Sequence, residues 1–348
     1  MKIDYLIIGQ GLAGSLLAWE LIQRQKKVFI VDNNQSNASL VAAGLINPVT
    51  GMRFVKSTDV DHLLPCAFTY YQKLSQHFGQ SFYIEKTMLR LLRNSKELSA
   101  CQKRLNNPAY HDFLDKILPS SSDIKSKHGL LKQNKTAYLL TQPLLTALKA
   151  YFMSINAYIK ADINYSEISL SPDLNWNGLK PKKIIFCEGH LAIHNPWFSS
   201  LPFQLVKGEI ITAKAHHDIK QNILNYGHWF IPLDNRTFRT GASFDRENLN
   251  LSITTAAKNS LINSLQQIYP TLNIELIIKQ QAGIRPTTLD KMPFVGTHPC
   301  HPELLIFNGF GAKGSLQIPW HCQQLAEHLI NKKPLSKTSD ICRYHALF

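Results

Sequence analysis

The apolar positions of this chain fall into short solid runs and longer helical stripes. Leu6, Ile7 and Ile8 form a run that ends abruptly at Gly9, the pattern of a strand buried on both faces. Helix formers follow Gly14 with few breakers, and a second apolar run from Val28 to Val31 is closed by Asp32. Residues 60–78 place Leu63, Leu64, Ala67, Tyr70, Tyr71 and Leu74 at helical spacing. Residues 82–93 read as strand with imperfect alternation, and the polar stretch that follows, to about Gln133, as helix and loop. A helix is predicted within 137–152, with Pro143 near its first position, where the fixed φ of proline fits. The run from Lys183 to Cys187 is a further buried strand, ending at Glu188-Gly189. Then the pattern changes: 205–213, 229–233 and 237–244 read as strands broken by turn residues such as Asp234-Asn235, as in an antiparallel sheet. A helix over 254–268, strands at 273–279 and 304–307, and a final helix to about Ile330 complete the prediction.

The glycines between the first strand and the first helix give this pattern chemical meaning. Gly9, Gly11 and Gly14 spell G-x-G-x-x-G, enclosing Leu12 and Ala13, and Asp32 follows about 20 residues later. Gly9 permits the tight turn, Gly11 lets backbone approach a pyrophosphate, and Gly14 lets the helix pack on the sheet. The helix N-terminus then meets phosphate charge. Asp32, followed by Asn33 in a polar loop, suits a ribose hydroxyl and argues against a 2′-phosphate. The small residues Ala42, Ala43 and Gly44, with Leu45, fit a segment running beside a flat cofactor. The strand ending at Gly189 either closes over that cofactor or is a core strand with a turn.

A second G-x-G-x-x-G lies at Gly309, Gly311, Ala312, Lys313 and Gly314, but no further strand and acid follow. It reads as a loop whose N–H groups and helix N-terminus face something anionic. One dinucleotide unit, one terminal glycine loop and an inserted antiparallel sheet fit a flavoprotein better than a nicotinamide dehydrogenase.

Composition narrows the class. The length of 348 residues suits about two domains, and 44% hydrophobic with 18% charged residues is ordinary for a soluble globular protein. No apolar run reaches the ~18 residues that would span a membrane. The N-terminus enters strand sequence at once, so no signal peptide is expected. Six cysteines without C-x-x-C pairing fit a reduced, cytoplasmic protein. The net charge of +14 favours anionic partners, yet the lysines cluster at turns, as on a solvated basic surface, and no RNA-binding motif is present. His298, Cys300 and His301 fit an irregular loop better than a metal site, so no metal is expected.

With these residues in view, the chain resembles the FAD-dependent amine oxidase superfamily that includes D-amino-acid oxidase, glycine oxidase and sarcosine oxidase. It is also similar to the oxidase half of the bifunctional enzyme that modifies the wobble uridine of bacterial tRNA. The shared landmarks are Gly9–Gly14 with Asp32, Ala42-Ala43-Gly44, Lys207-Gly208-Glu209, Gly283-Ile284-Arg285-Pro286 with Asp290, Pro293 and Gly296, and the loop 309–314. Residues 44–56 and 283–314 are similar to a bacterial branch of FAD-dependent oxidoreductases. The resemblance implies an α/β fold, α+β overall. An FAD-binding Rossmann-like domain (1–80, 138–200 and 280–348) would carry an antiparallel substrate-binding domain (81–137 and 201–279).

It implies FAD held by Gly9, Gly11, Leu12, Ala13, Gly14, Asp32 and Asn33, with backbone near Ile168 at the adenine and Gly189 close by. The isoalloxazine would lie between Ala42–Leu45 and Gly309–Gly314. Lys313 is then either a charge that stabilises reduced flavin or an exposed loop lysine. Arg285 stands where glycine-oxidase relatives hold the substrate carboxylate, a task its fork suits; otherwise it is structural and paired with an acid such as Asp290. Arg53, with Lys56, is a weaker second anion contact, and Tyr226, His228 and Trp229 are pocket or core aromatics. Some sarcosine-oxidase relatives attach FAD through a cysteine near the Gly283 position, but none occurs between 188 and 299, so FAD is expected to be non-covalent.

The implied activity is oxidation of a C–N bond in a small amino acid or secondary amine, with hydride passing to flavin N5. Two alternatives stand: a tRNA-modifying flavoenzyme that removes a carboxymethyl group from a modified wobble uridine, and a non-catalytic flavin-binding protein. The chain has no counterpart of the tRNA enzyme's methyltransferase half, which weighs against the first.

Overall fold

The first apolar run becomes the strand Lys2–Ile8 at the centre of a six-stranded sheet in the computed structural model, which describes residues 1–348. Its neighbours are Val28–Asp32 and then Tyr158–Lys160 on one side, and Lys180–Phe186, Leu304–Asn308 and Phe294–Thr297 on the other. All pairs are parallel except the last, which is antiparallel at the edge. Parallel strands need both faces covered, hence their solid apolar runs. Ile7 packs toward helices Leu12–Gln23 and Gly314–Asn331, whereas Leu6 and Ile8 pack on the other side with Trp176 and Phe198.

An eight-stranded sheet stands beside it in the order Ile274–Thr288, Phe203–Ala215, Thr237–Gly241, Trp229–Pro232, Ile223–Asn225, Met88–Leu91, Leu130–Gln133 and Leu114–Leu118. Alternation divides its side chains between two faces. Ile211, Phe230 and Phe238 turn to one face, where helix Thr255–Ile268 covers them with Leu261 and Leu265. Ile231, Ile223 and Met88 turn to the other, against Tyr138, Ala43 and Leu45. The second face therefore looks onto the segment that begins at Ala42.

Four predicted elements differ. The stretch 82–93 is two strands, Tyr83–Glu85 and Met88–Leu91, which belong to different sheets. The chain changes sheets at Lys86, whose backbone pairs with Thr136, and this explains the imperfect alternation. The polar stretch to Gln133 contains two strands as well as the helix Ser95–Leu105. The helix predicted within 137–152 starts at Thr141, two residues before Pro143, after a short strand Ala137–Leu139. The segment around Arg285 is not a connection after the strand at 273–279: it lies inside a single strand, Ile274–Thr288, that runs through position 280 without interruption.

Candidate active site

The glycine turn has the shape a dinucleotide requires. Gly9 has φ 104°, and a Cβ there would stand 2.5 Å from the Cys187 carbonyl oxygen. A Cβ on Gly14 would lie 2.0 Å from the Gly9 carbonyl oxygen, so the helix packs directly on the turn. Gly11 is different: its nearest neighbour is Ser39 Oγ at 3.3 Å, leaving its approach open. Helix Leu12–Gln23 has no side-chain cap from Gly11 and no acid in its first turn. Only Leu12 N–H is drawn off, donating to Ser39 Oγ at 3.0 Å. This cradle fits a pyrophosphate, with the helix dipole facing it.

Asp32 ties the cradle to the second strand. Its Oδ2 accepts from Gln10 N–H at 2.8 Å and its Oδ1 from Asn34 N–H at 2.7 Å. Asn33 donates to Asp162 at 2.9 Å, while Asn34 accepts from Tyr158 at 2.6 Å and from Lys149. Ile168 is buried among the second core cluster, with its N–H bonded to Tyr165 O. Gly189 has φ 58°, and its carbonyl accepts from Asn308 Nδ2 at 2.8 Å, linking the ends of two parallel strands.

The segment Ala42–Leu45 leaves the short helix Ala38–Val41. A Cβ on Gly44 would sit 2.0 Å from Leu139 O, so the segment lies flat on strand Ala137–Leu139. The large sheet meets it from the other side. A Cβ on Gly283 would lie 3.3 Å from Ala38 Cα and 3.4 Å from Val41 Cβ. Arg239 donates to Val41 O at 2.7 Å and Ala42 O at 3.1 Å, and burial pushes its pKa down to about 10. The resemblance did not mark Arg239. The available signal was an arginine flanked by Phe238 and Thr240 in a strand whose alternate positions are core.

Strand register sets which side chains share a face with Arg285. Val206 pairs with Arg285 and Gly208 with Gly283. Ile210 pairs with Gly241, and Gly241 with Trp229, so these residues share the face that looks onto Ala42–Leu45. The Arg285 guanidinium lies over Gly208 and donates from Nη2 to Ser243 O at 3.2 Å. Burial lowers its pKa, and no carboxylate pairs with it. Asp290 is not its partner, because Asp290 is held by Arg343 at 2.8 Å. Tyr226 points to the covered face and bonds Thr240 Oγ1 at 2.9 Å; Trp229 alone of the three candidate aromatics shares a face with Arg285.

The terminal glycine loop closes the site. Gly309 and Gly311 have φ 80° and 53°, and Cβ atoms there would stand 2.7 Å and 2.9 Å from the Thr288 and Thr287 methyls. The loop thus leans on the end of the Arg285 strand and starts helix Gly314–Asn331. Lys313 precedes that helix and donates to Ser57 Oγ at 3.0 Å; burial lowers its pKa. It is therefore not a free loop lysine. Arg53 is exposed at the tip of the hairpin formed by Val49–Thr50 and Val55–Lys56, and its carbonyl accepts from Arg104. Lys56 pairs with Asp61 at 2.9 Å. Neither is brought to Arg285.

Glu188, absent from the sequence-based site, follows the last residue of strand Lys180–Phe186 by two positions. It accepts from Tyr165 and Asn195, each at 2.8 Å, and burial pushes its pKa up to about 7. His298 Nδ1 accepts the N–H groups of Cys300 and His301, at 3.1 Å each, within the loop. A cavity of about 380 Å³ lies at the far end of the large sheet beside Asp123, His217 and Tyr269, and neither the glycine turn nor Ala42–Leu45 lines it.

Cradle, acid, flat segment and terminal loop together define a flavin-dependent oxidoreductase. The family description "DAO: FAD dependent oxidoreductase" matches residues 4–328, and the chain belongs to that family. FAD is its cofactor, held non-covalently. Among relatives, it is 26% identical, over an alignment 370 positions long, to glycine oxidase of Pseudomonas putida, covering 96% of each chain. It is 23% identical over 341 residues to the tRNA 5-methylaminomethyl-2-thiouridine biosynthesis bifunctional protein MnmC of Acinetobacter baylyi, covering 94% of this chain and 53% of that one. The chain thus spans about half the length of these bifunctional relatives. The crystal structure of glycine oxidase from Geobacillus kaustophilus superposes with a TM-score of 0.80 at 18% identity, covering 99% and 98% of the two chains. That of iminodiacetate oxidase from Chelativorans gives 0.79 at 19% identity, covering 97% and 98%.

Proposed function

We propose that this protein oxidises the C–N bond of a small amino acid or secondary amine. Bound FAD supplies the hydride acceptor, its N5. Arg285 holds the substrate carboxylate bidentately, Trp229 limits the pocket, and Lys313 with the N-terminus of helix Gly314–Asn331 presents positive charge to the cofactor. The observation that carries this reading is Arg285 itself. It is a guanidinium without an acid partner, on the sheet face that looks onto the cofactor segment. The expected boundary at position 280 falls inside the strand Ile274–Thr288, so residues 1–80, 138–200 and 289–348 serve as the FAD-binding part and 81–137 with 201–288 as the substrate part, working in the cytoplasm, where its six free thiols stay reduced.

An anaerobic screen of amines for flavin bleaching identifies the substrate class, and Arg285 variants test the site. Arg285→Lys keeps charge but loses the planar fork, so kcat/KM for a carboxylate-bearing amine should fall on the order of 10- to 100-fold. Arg285→Ala should fall further, with matched amines lacking the carboxylate nearly unaffected and flavin content unchanged. Equal losses on both substrate types, or loss of FAD, would make Arg285 structural. The similarity to MnmC and the net charge of +14 support a second reading, action on a modified tRNA uridine. RNA co-purifying with the holoprotein would favour it. A flavin that photoreduces yet bleaches with no amine would favour a non-catalytic role.

A further inference from the structure

The hairpin of Val49–Thr50 and Val55–Lys56 covers one end of the large sheet and leaves a cleft of about 200 Å³. Asn47, Thr50, Arg90, Arg93 and Asn225 line it, and no carboxylate does. Arg90 is the unusual member. It is only 6% exposed, yet its one hydrogen bond runs from Nη2 to Gly51 O at 2.8 Å. Its flat face rests on the Phe54 ring at 4.1 Å. A guanidinium has five N–H donors. None of the Arg90 nitrogens is both sealed from solvent and unpaired, so the remaining donors open onto the cleft they line. The nearest acid, Glu97, is already engaged by Arg93, through its side chain at 2.9 Å and its backbone N–H at 3.1 Å. A buried cation left without a partner is costly, and an anion relieves that cost.

Size and place say what kind of anion. The cleft is smaller than the ~300–1,000 Å³ usual for a whole small ligand, so it fits a single polar group. Asn225 pairs in register with Arg90 and with Trp229, and Trp229 with Gly241, so the cleft continues the sheet face that carries Arg285. Successive strands are ~4.8 Å apart, which puts Arg90 roughly 20 Å across the sheet from the strand Phe203–Ala215. A ligand touching both ends is extended.

We propose that this cleft is a second oxyanion subsite, holding a phosphate or carboxylate at the far end of an extended secondary-amine substrate, the branch of the amine-oxidation reading that a span of roughly 20 Å admits. Its place in the substrate site rests on the amine-oxidation reading; the anion site itself does not. The test is isothermal titration of the FAD-loaded protein with inorganic phosphate and, separately, glutarate. At least one probe should bind at a site that depends on Arg90, separate from any glutarate held by Arg285, and which probe occupies the Arg90 site distinguishes a phosphate from a carboxylate. Arg90→Gln should weaken it at least about 10-fold, the effect of losing a charge-assisted hydrogen bond. Arg285→Ala should leave it within about twofold, since a remote side chain does not couple. If Arg90→Gln fails to retain FAD, Arg90→Lys and Asn225→Ala carry the same test, each weakening the probe. Binding of neither probe, or binding unchanged in every cleft variant, overturns the subsite. Binding lost in Arg285→Ala but kept in Arg90→Gln would place the anion at Arg285, overturning the cleft while leaving the amine-oxidation reading intact.

Discussion

Gly208 decides where the Arg285 guanidinium can lie. A Cβ on Gly208 would stand 1.8 Å from Arg285 Nη2, 2.8 Å from its Cζ and 3.1 Å from Ser243 O. The two residues sit on neighbouring strands of one face, and the arginine folds across the space a side chain would fill. Gly208→Ala should therefore displace the guanidinium while leaving the strand intact, since alanine is no worse than glycine in a strand. The expected result is a fall of about 10- to 100-fold in kcat/KM for carboxylate-bearing amines, the scale of a lost charge-assisted hydrogen bond. Flavin content and the rate with a matched amine lacking the carboxylate should hold; an unchanged preference for the carboxylate would refute the arrangement. At this scale legibility was uneven. Arg285 could be found because Gly-Ile-Arg-Pro resembles a known motif. Arg90 interrupts the apolar strand MLRL and Arg239 sits beside the core residue Phe238 in TFRTG, signals that mark something unusual but not what each arginine touches.

Helix Thr255–Ile268 is joined to the large sheet through its first turn. Thr254 caps the helix, its Oγ1 accepting from Ala257 N–H at 3.2 Å and donating to Glu209 Oε1 at 3.0 Å. The Thr254 N–H donates to Glu209 Oε2 at 2.9 Å, and Gln280 Nε2 reaches the same oxygen at 2.7 Å. Glu209 is 2% exposed, so its oxygens need these donors. Thr254→Ala removes a cap and one donor to a buried carboxylate, and should cost about 1–3 kcal/mol. Thr254→Ser should restore most of that loss. The shift of the denaturation midpoint at constant m-value measures both; a midpoint unchanged in Thr254→Ala would show the cap to be idle. This helix and the one over Val60–Phe78 were legible because their apolar stripes repeat locally over several turns. The stretch 82–93 was not, because its two strands serve different sheets and each has only a few residues in which to show a period.

Across the whole molecule, pH should act on stability through Glu188. Burial raises its carboxyl from 4.5 to about 7, against the opposing hydrogen bonds from Asn195 and Tyr165. The folded protein then binds that proton more tightly than the unfolded chain does. Its contribution is fully present below pH 4.5 and is lost as pH rises through about 7. Glu188→Gln, which keeps the shape and cannot ionise, should flatten the fall in Tm between those pH values; a parallel curve would exclude Glu188 as its source. The strand–turn–helix–strand unit from Lys2 to Asp32 was determined by sequence alone. A buried strand, a glycine turn, a helix and an acid are neighbours along the chain, and each acts through its own backbone geometry. The face that carries Arg285 was decided only in three dimensions. Val206 meets Arg285, Asn225 meets Arg90 and Asp290 turns to Arg343 because strands far apart in the chain pair in a particular register. Register is set by which side chains the whole core can bury together, and no local period encodes that.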